Sequence, residues 1–248
     1  MRFFIDKDHI TEGRILLTPE DSQHIVRVLR KRVGEELELC DGQGTDYSGI
    51  LCSIDQERVQ VRLDSARPSQ TEPTAEVTLY AGLSKGERFD FLIQKAVELG
   101  VSRIVPFTSR YCVIKVDAKE SAKKQARMQK IALEACKQSL RGKIVEIGEI
   151  CTYQQALKQA ALSQCPLLLY EKENRSSLKT ILQEHRQDSS FAVITGPEGG
   201  FSQEEARQAL EASIPSVSIG NRILRCETAP LAALCAIMYE TSNFDFGV

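Results

Sequence analysis

Along the first seventy residues apolar and polar positions alternate in short runs: RFFI, RILLT, EELELC, YSGILCSI and RVQVRLD. Period-two runs separated by turn residues such as DGQG predict half-buried β-strands, and a small barrel is their natural closure. One stretch breaks the rhythm. In PEDSQHIVRVLRKR, opened by Pro19, the spacing predicts a helix with Ile25, Val28 and Leu29 on one face and Arg27, Arg30, Lys31 and Arg32 outward or nearly so. The segment SARPSQTEPTA, Ser65 to Ala75, has two prolines among small polar residues, the composition of a linker. It sets the expected domains at 1–70 and 74–248.

Beyond the linker the pattern changes. EVTLYAGL, RIVPF, IVEIG, PLLLY, FAVIT and SVSIG are apolar strand-length runs. Between them lie helical patterns: RFDFLIQKAVELG, the long KESAKKQARMQKIALEACKQSLR, TYQQALKQAAL, SSLKTILQEH and QEEARQALEA, with PLAALCAIMYE last. Strand and helix in alternation predict an α/β layer fold on a parallel sheet. Ligands of such sheets collect outside the carboxyl ends of the strands. Three ends then matter: Leu169-Tyr170-Glu171, Thr195 to Gly200, and Ile219 to Thr228. If they are neighbours, they form one pocket.

The second of these ends, in AVITGPEGGFSQEEA, stops an apolar run in three glycines, a proline and a carboxylate. Glycine leaves the backbone open to close approach, and Ser202 with Glu205 is a capping box that starts a helix beside the turn. The spelling is neither G-x-x-x-x-G-K-[ST] nor G-x-G-x-x-G, so a phosphate loop and a dinucleotide fingerprint are excluded. A ligand loop and a plain strand-to-helix turn remain the two readings of this segment alone. The third end, SIGNRILRCETAPLAAL, places Arg225 and Glu227 in a tight loop before a helix whose expected N-cap is Thr228, with Pro230 in its first turn. Here a structural ion pair competes with a site for a charged small molecule.

Composition narrows the class. With 248 residues, 42% hydrophobic and 27% charged, the chain is an ordinary globular protein of one or two domains. The start, MRFFIDKDHI, is too short and too charged for a signal peptide, and no run approaches a membrane span, so a cytoplasmic location is expected. Eight cysteines include no C-x-x-C pair, which argues against zinc and for small buried hydrophobes; only Cys226 sits in a chemically suggestive neighbourhood. The net charge of −2 hides a basic stretch, Thr71 to Arg141, with 13 Lys+Arg against 8 Asp+Glu. Such a surplus suits either a solvated helix face or a nucleic-acid partner.

Four blocks in order carry a resemblance: HIVRVLRKRVGEEL at His24–Leu37, KGERFDFLIQKAVELGVSRIVPF at Lys85–Phe107, KQSLR at Lys137–Arg141, and GPEGGFS followed by the segment Ile219–Ala229. Together they resemble the RsmE family of 16S rRNA (uracil-N3)-methyltransferases of the SPOUT superfamily, across both domains. One departure is visible: Lys137 stands where the family is expected to have glutamate. A lysine there suits an RNA-facing helix end.

The resemblance implies a small PUA-like β-barrel RNA-binding domain followed by a SPOUT α/β domain with a trefoil knot, which chain-topology rules alone would reject. It implies S-adenosylmethionine as cofactor, 16S rRNA in the small ribosomal subunit as partner, and a homodimer packed on the last helix, with no membrane and no metal. The implied cofactor contacts are Leu169, Thr195, Gly196, Pro197, Glu198, Gly199, Gly200, Ile219, Gly220, Leu224, Arg225, Thr228 and Ala229. His9, His24 and His185 lie outside these motifs, which leaves Arg225 to stabilise a uracil anion and Glu198 as positioning group or proton acceptor, with Glu227 second among the carboxylates. Candidate RNA contacts are Arg2, Arg27, Arg30, Lys85, Arg88, Arg110 and Arg141. A catalytically inactive RNA-binding assembly factor of the same fold is the alternative; an ATP- or phosphate-using enzyme is disfavoured by the missing lysine after the glycines.

Overall fold

The computed structural model describes residues 2–55, 58–113 and 118–245. The chain divides into two compact units, Met1–Glu72 with Cys136–Ile144, and Pro73–Ala135 with Val145–Val248. The long helix of the second half thus gives its last turn and the following loop to the first unit, a return that a single linear boundary does not express.

In the first unit, β1 (Phe3–Phe4), β2 (Arg14–Leu16), β3 (Glu36–Cys40), β4 (Thr45–Asp55) and β5 (Arg58–Pro68) form a sheet in the order β1-β3-β4-β5-β2. All its pairs are antiparallel except β1–β3. Alternation sends Leu37, Leu39, Val59 and Val61 inward to meet Phe3, Ile15, Leu17, Ile25 and Leu51. No β1–β2 pairing occurs among the described residues, so hydrogen bonds do not close the expected barrel; its two edge strands are only two and three residues long.

The helix over these strands differs from the sequence expectation. Thr18 caps α1 (Pro19–Gln23), which continues as a π-helical turn over His24–Val28. The wider i to i+5 turn changes which positions share a face. Ile25 is fully buried while Val28 and Leu29 are 65% and 42% exposed, so the three do not form one apolar stripe. Asp21, also buried, meets the Nζ of Lys137 at 3.2 Å. Lys137 is therefore an internal ion-pair partner and not an RNA-facing helix end.

The second unit holds β6 (Glu76–Gly82), α2 (Glu87–Glu98), β7 (Arg103–Thr108), most of α3 (Ala118–Gln138), β8 (Glu146–Ile147), β9 (Cys151–Thr152), α4 (Tyr153–Ala160) and β10 (Cys165–Leu169). Then follow α5 (Leu178–Glu184), β11 (Ser190–Thr195), α6 (Gln203–Glu211), β12 (Ser216–Val217) and α7 (Thr228–Glu240). The sheet runs β12-β10-β11-β6-β7-β8, with β9 also on β7, and every pair is parallel. Strands such as FAVIT are buried on both faces, as helix-covered parallel sheets require.

Two features of this topology position the site. The chain leaves β11, passes α6 and enters β12 beside β10, so the carboxyl ends of β12, β10 and β11 lie side by side. After β12 it returns to place α7 against α2, α5 and β11. Thr228 is the first helical residue of α7 and Glu227 precedes it as a cap without a side-chain hydrogen bond, one position off the expected cap. Beneath the sheet, Phe107, Tyr153 and Phe201 pack with ring centroids 5.4–6.3 Å apart. Phe201, 2% exposed, anchors the end of the glycine turn in the core.

Candidate active site

The loops after β10, β11 and β12 enclose a cavity of about 890 Å³. Of the thirteen positions expected to touch a cofactor, it collects twelve: Leu169, Thr195 to Gly200, Ile219, Gly220, Leu224, Arg225 and Ala229. Thr228, the first residue of α7, does not line it.

The glycine turn has definite steric reasons. Gly200 sits at φ +66°, the left-handed region, and its N–H donates to the Pro197 carbonyl at 2.9 Å. A Cβ there would lie 3.2 Å from the Glu171 carboxylate, and one on Gly199 would lie 2.7 Å from the Cβ of Tyr111. Downstream, Ser202 accepts the Glu205 N–H while the Glu205 carboxylate accepts the Ser202 N–H and hydroxyl, both at 2.9 Å. The other Glu205 oxygen accepts the Arg110 N–H at 2.9 Å, which ties the start of α6 to the loop after β7.

Charges converge at one wall. The Glu198 Oε1 accepts the Lys85 N–H at 2.9 Å and stands 3.8 Å from the Arg88 guanidinium, so this carboxylate clasps the turn to the β6–α2 loop. Cys226 donates its thiol to Glu227 at 3.2 Å. Burial, with the Glu227 hydrogen bond and nearby carboxylates, pushes that thiol up to about 12, so it is neutral and not a nucleophile. Burial opposes ionisation of Glu227 as well, yet its own amide, the Cys226 thiol, Arg88 and Arg225 together hold its carboxyl below the usual range. Arg225 is exposed at the cavity edge.

Two family descriptions match this chain: an RNA methyltransferase domain over residues 70–238 and an RNA methyltransferase PUA domain over 17–64. The ribosomal RNA small subunit methyltransferase E of Bacillus subtilis is 32% identical over 97% of this chain and 96% of its own length. The chain belongs to the ribosomal RNA small subunit methyltransferase E family. A solved member from Neisseria gonorrhoeae, bound to S-adenosylmethionine, superposes with a TM-score of 0.84 at 32% identity, covering 96% of each chain. A methyltransferase from Legionella pneumophila in complex with the same cofactor gives 0.84 at 30% identity, again over 96% of each. The family resemblance and the two-part fold, a PUA-like unit before an α/β methyltransferase unit, are thereby established for this chain.

Other positions need correction or addition. Arg2, 8% exposed, binds Asp46 at 2.9 Å and Ser69 at 3.2 Å; Arg141, 4% exposed, grips Glu72 through Nε at 3.0 Å and Nη2 at 2.8 Å. Both are internal clamps of the first unit, since a guanidinium carried inside must bring a carboxylate partner, and neither is placed for RNA. Arg27, Arg30, Lys85, Arg88 and Arg110 are exposed. Beyond the expected end at Glu171, the cavity extends along the polar loop to Ser177, where Glu173 accepts the amides of Asn174, Arg175 and Ser176 at 2.7–3.3 Å. The run EKENRSS directly after a strand end was the available signal. Among the described residues no disulfide joins any of the eight cysteines, no cluster suited to a metal exists, and no helix is long and apolar enough to cross a membrane.

Proposed function

We propose that this protein transfers a methyl group from S-adenosylmethionine to N3 of one uridine in 16S ribosomal RNA, the family's uridine 1498, within the cytoplasmic small ribosomal subunit. The observation that carries the reading is that one cavity at the ends of β10, β11 and β12 collects Gly196, Gly199, Gly200 and Gly220 with most of the other expected cofactor contacts. Family membership supplies the reaction class.

The residues fit the cofactor. Leu169, Ile219 and Leu224 offer apolar surface, and the main chain of Gly196, Gly199 and Gly220 lines the cavity with no side chain of its own. When bound, the cofactor supplies a methyl group already activated on a sulfonium. The chain's own work is then alignment and charge. In this reading the N3 proton passes to water, and the Arg225 guanidinium, exposed at the cavity edge, stabilises the uracil anion that remains. Glu198, occupied by the Lys85 amide and Arg88, acts as a positioning group for the turn.

A trefoil knot and a homodimer belong to the same reading. The return of the chain from β12 to α7 supports the knot. On α7, Leu231, Ala232, Cys235 and Ala236 stay half-buried and Tyr239 is 75% exposed, an apolar stripe that suits a second copy. The test is to incubate the protein and labelled cofactor with small subunits lacking the modification and to map the label by mass spectrometry. Label on N3 of that uridine is expected; label on another base would refute the substrate, and tight cofactor binding without transfer would favour the assembly-factor alternative.

A further inference from the structure

Beside the cofactor cavity lies a second, polar pocket of about 590 Å³, lined by Arg110, Tyr111, Lys172, Gln203 and Arg207 among others. Lys172 lines both cavities, so the two are contiguous at that side chain. Tyr111 is 44% exposed although it is large and aromatic, and the Arg110 guanidinium stands 5.8 Å from its ring centroid. The stem of Tyr111 is held: its Cβ occupies the space a side chain on Gly199 would need, and the Arg110 N–H before it donates to the Glu205 carboxylate.

The charges of this pocket are unequally free. Arg207 is taken up by Glu204, through Nε at 3.0 Å and Nη2 at 2.6 Å, and by Glu211. The Arg110 guanidinium and the Lys172 ammonium have no carboxylate partner among the described residues, and neither is in the hydrophobic interior. The start of α6 adds no free attraction for an anion, since its capping box already engages Ser202 and Glu205. A partly exposed aromatic ring with one cation over it and a second lining the same pocket suits single-stranded nucleic acid: a base stacks on the exposed part of the ring while phosphate meets the cations.

We propose that this pocket is a nucleotide subsite in which a base flanking the target uridine stacks on Tyr111 and its phosphate is met by Arg110 and Lys172. The proposal rests on the methyltransferase reading for which nucleotide is bound, and on the pocket's own chemistry for the binding itself. Tyr111 then sets how the RNA leaves the methyl-transfer cavity, and Gly199 serves it by making room for its Cβ.

The test uses the full chain with S-adenosylhomocysteine and a fluorescent, uridine-containing single-stranded RNA, read by anisotropy, with cofactor affinity measured by calorimetry. Tyr111→Leu keeps the contact over Gly199 and removes the π-face; it should weaken RNA binding about tenfold and leave cofactor affinity unchanged. Tyr111→Phe should restore binding to within about twofold, on the same stacking grounds. Arg110→Ala and Lys172→Ala should each lower the slope of log affinity against log salt by about 0.7. Unchanged RNA binding in Tyr111→Leu overturns the subsite, as does an equal loss in both Tyr111 variants. Methyl transfer by the unaltered protein is assayed in parallel: if it fails while Tyr111→Leu still weakens RNA binding, the methylation reading falls and the subsite stands.

Discussion

Arg225 and Glu198 were marked together in the sequence, but their surroundings assign them different work. Glu198 spends its carboxylate on the Lys85 amide and Arg88, whereas Arg225 remains exposed at the cavity edge. Arg225→Ala should therefore fold normally, bind cofactor, and lose about a hundredfold or more in transfer rate, as when a donor to a developing anion is removed. Single-turnover kinetics with near-parental thermal melting is the check, and a rate equal to the parent's would remove Arg225 from the chemistry. Glycines, an arginine in a tight loop and a helix cap are legible because their meaning is local. Arg2, Arg141 and Lys137 are not legible in this way, for the opposite reason: each is neutralised by a carboxylate at least 44 positions away. Nothing near them in sequence announces the partner.

At the scale of elements, the start of α6 joins stability to function. Ser202 and Glu205 satisfy each other's backbone groups, the Tyr153 hydroxyl donates to the Glu205 carbonyl at 2.8 Å, and Phe201 packs against both Phe107 and Tyr153. The glycine turn is thus open on the cavity side and fixed on the other. Ser202→Ala should cost about 1 kcal/mol, measured by urea unfolding, and should weaken cofactor binding with it because the cap and the turn are one piece. A stability loss with unchanged cofactor affinity would separate them. The strands and helices of the second unit were readable as alternating apolar patterns, and the capping box was readable residue by residue. The π-turn at His24–Val28 was not: its pattern of apolar spacing passes for an α-helix, and only packing exposes Val28 and Leu29.

For the whole molecule, the return of Cys136–Ile144 to the N-terminal unit is held by a buried clamp. Glu72 accepts two hydrogen bonds from Arg141 and the amides of Gly142 at 2.7 Å and Lys143 at 3.1 Å. Burial alone would raise the Glu72 carboxyl, but the bonds and charge of Arg141 and these amides outweigh it and bring the carboxyl below its ordinary value. Such a group stabilises fully above its unfolded pKa, and the contribution is lost as pH falls through the lower folded value. Glu72→Gln should lower stability by about 3 kcal/mol at neutral pH, with the gap to the parent closing in acid; thermal melts across pH read both, and a constant gap would contradict the ionic account. The sequence alone determined the kind and order of nearly all elements and the chemistry of the three loops, because periodicity, caps and turns act over a few residues. Only tertiary structure decided that β12 lies beside β10, that 136–144 folds back on the first unit, and that Tyr111 stands against Gly199, because these are contacts between segments far apart in the chain, selected by burial and pairing and written in no local pattern.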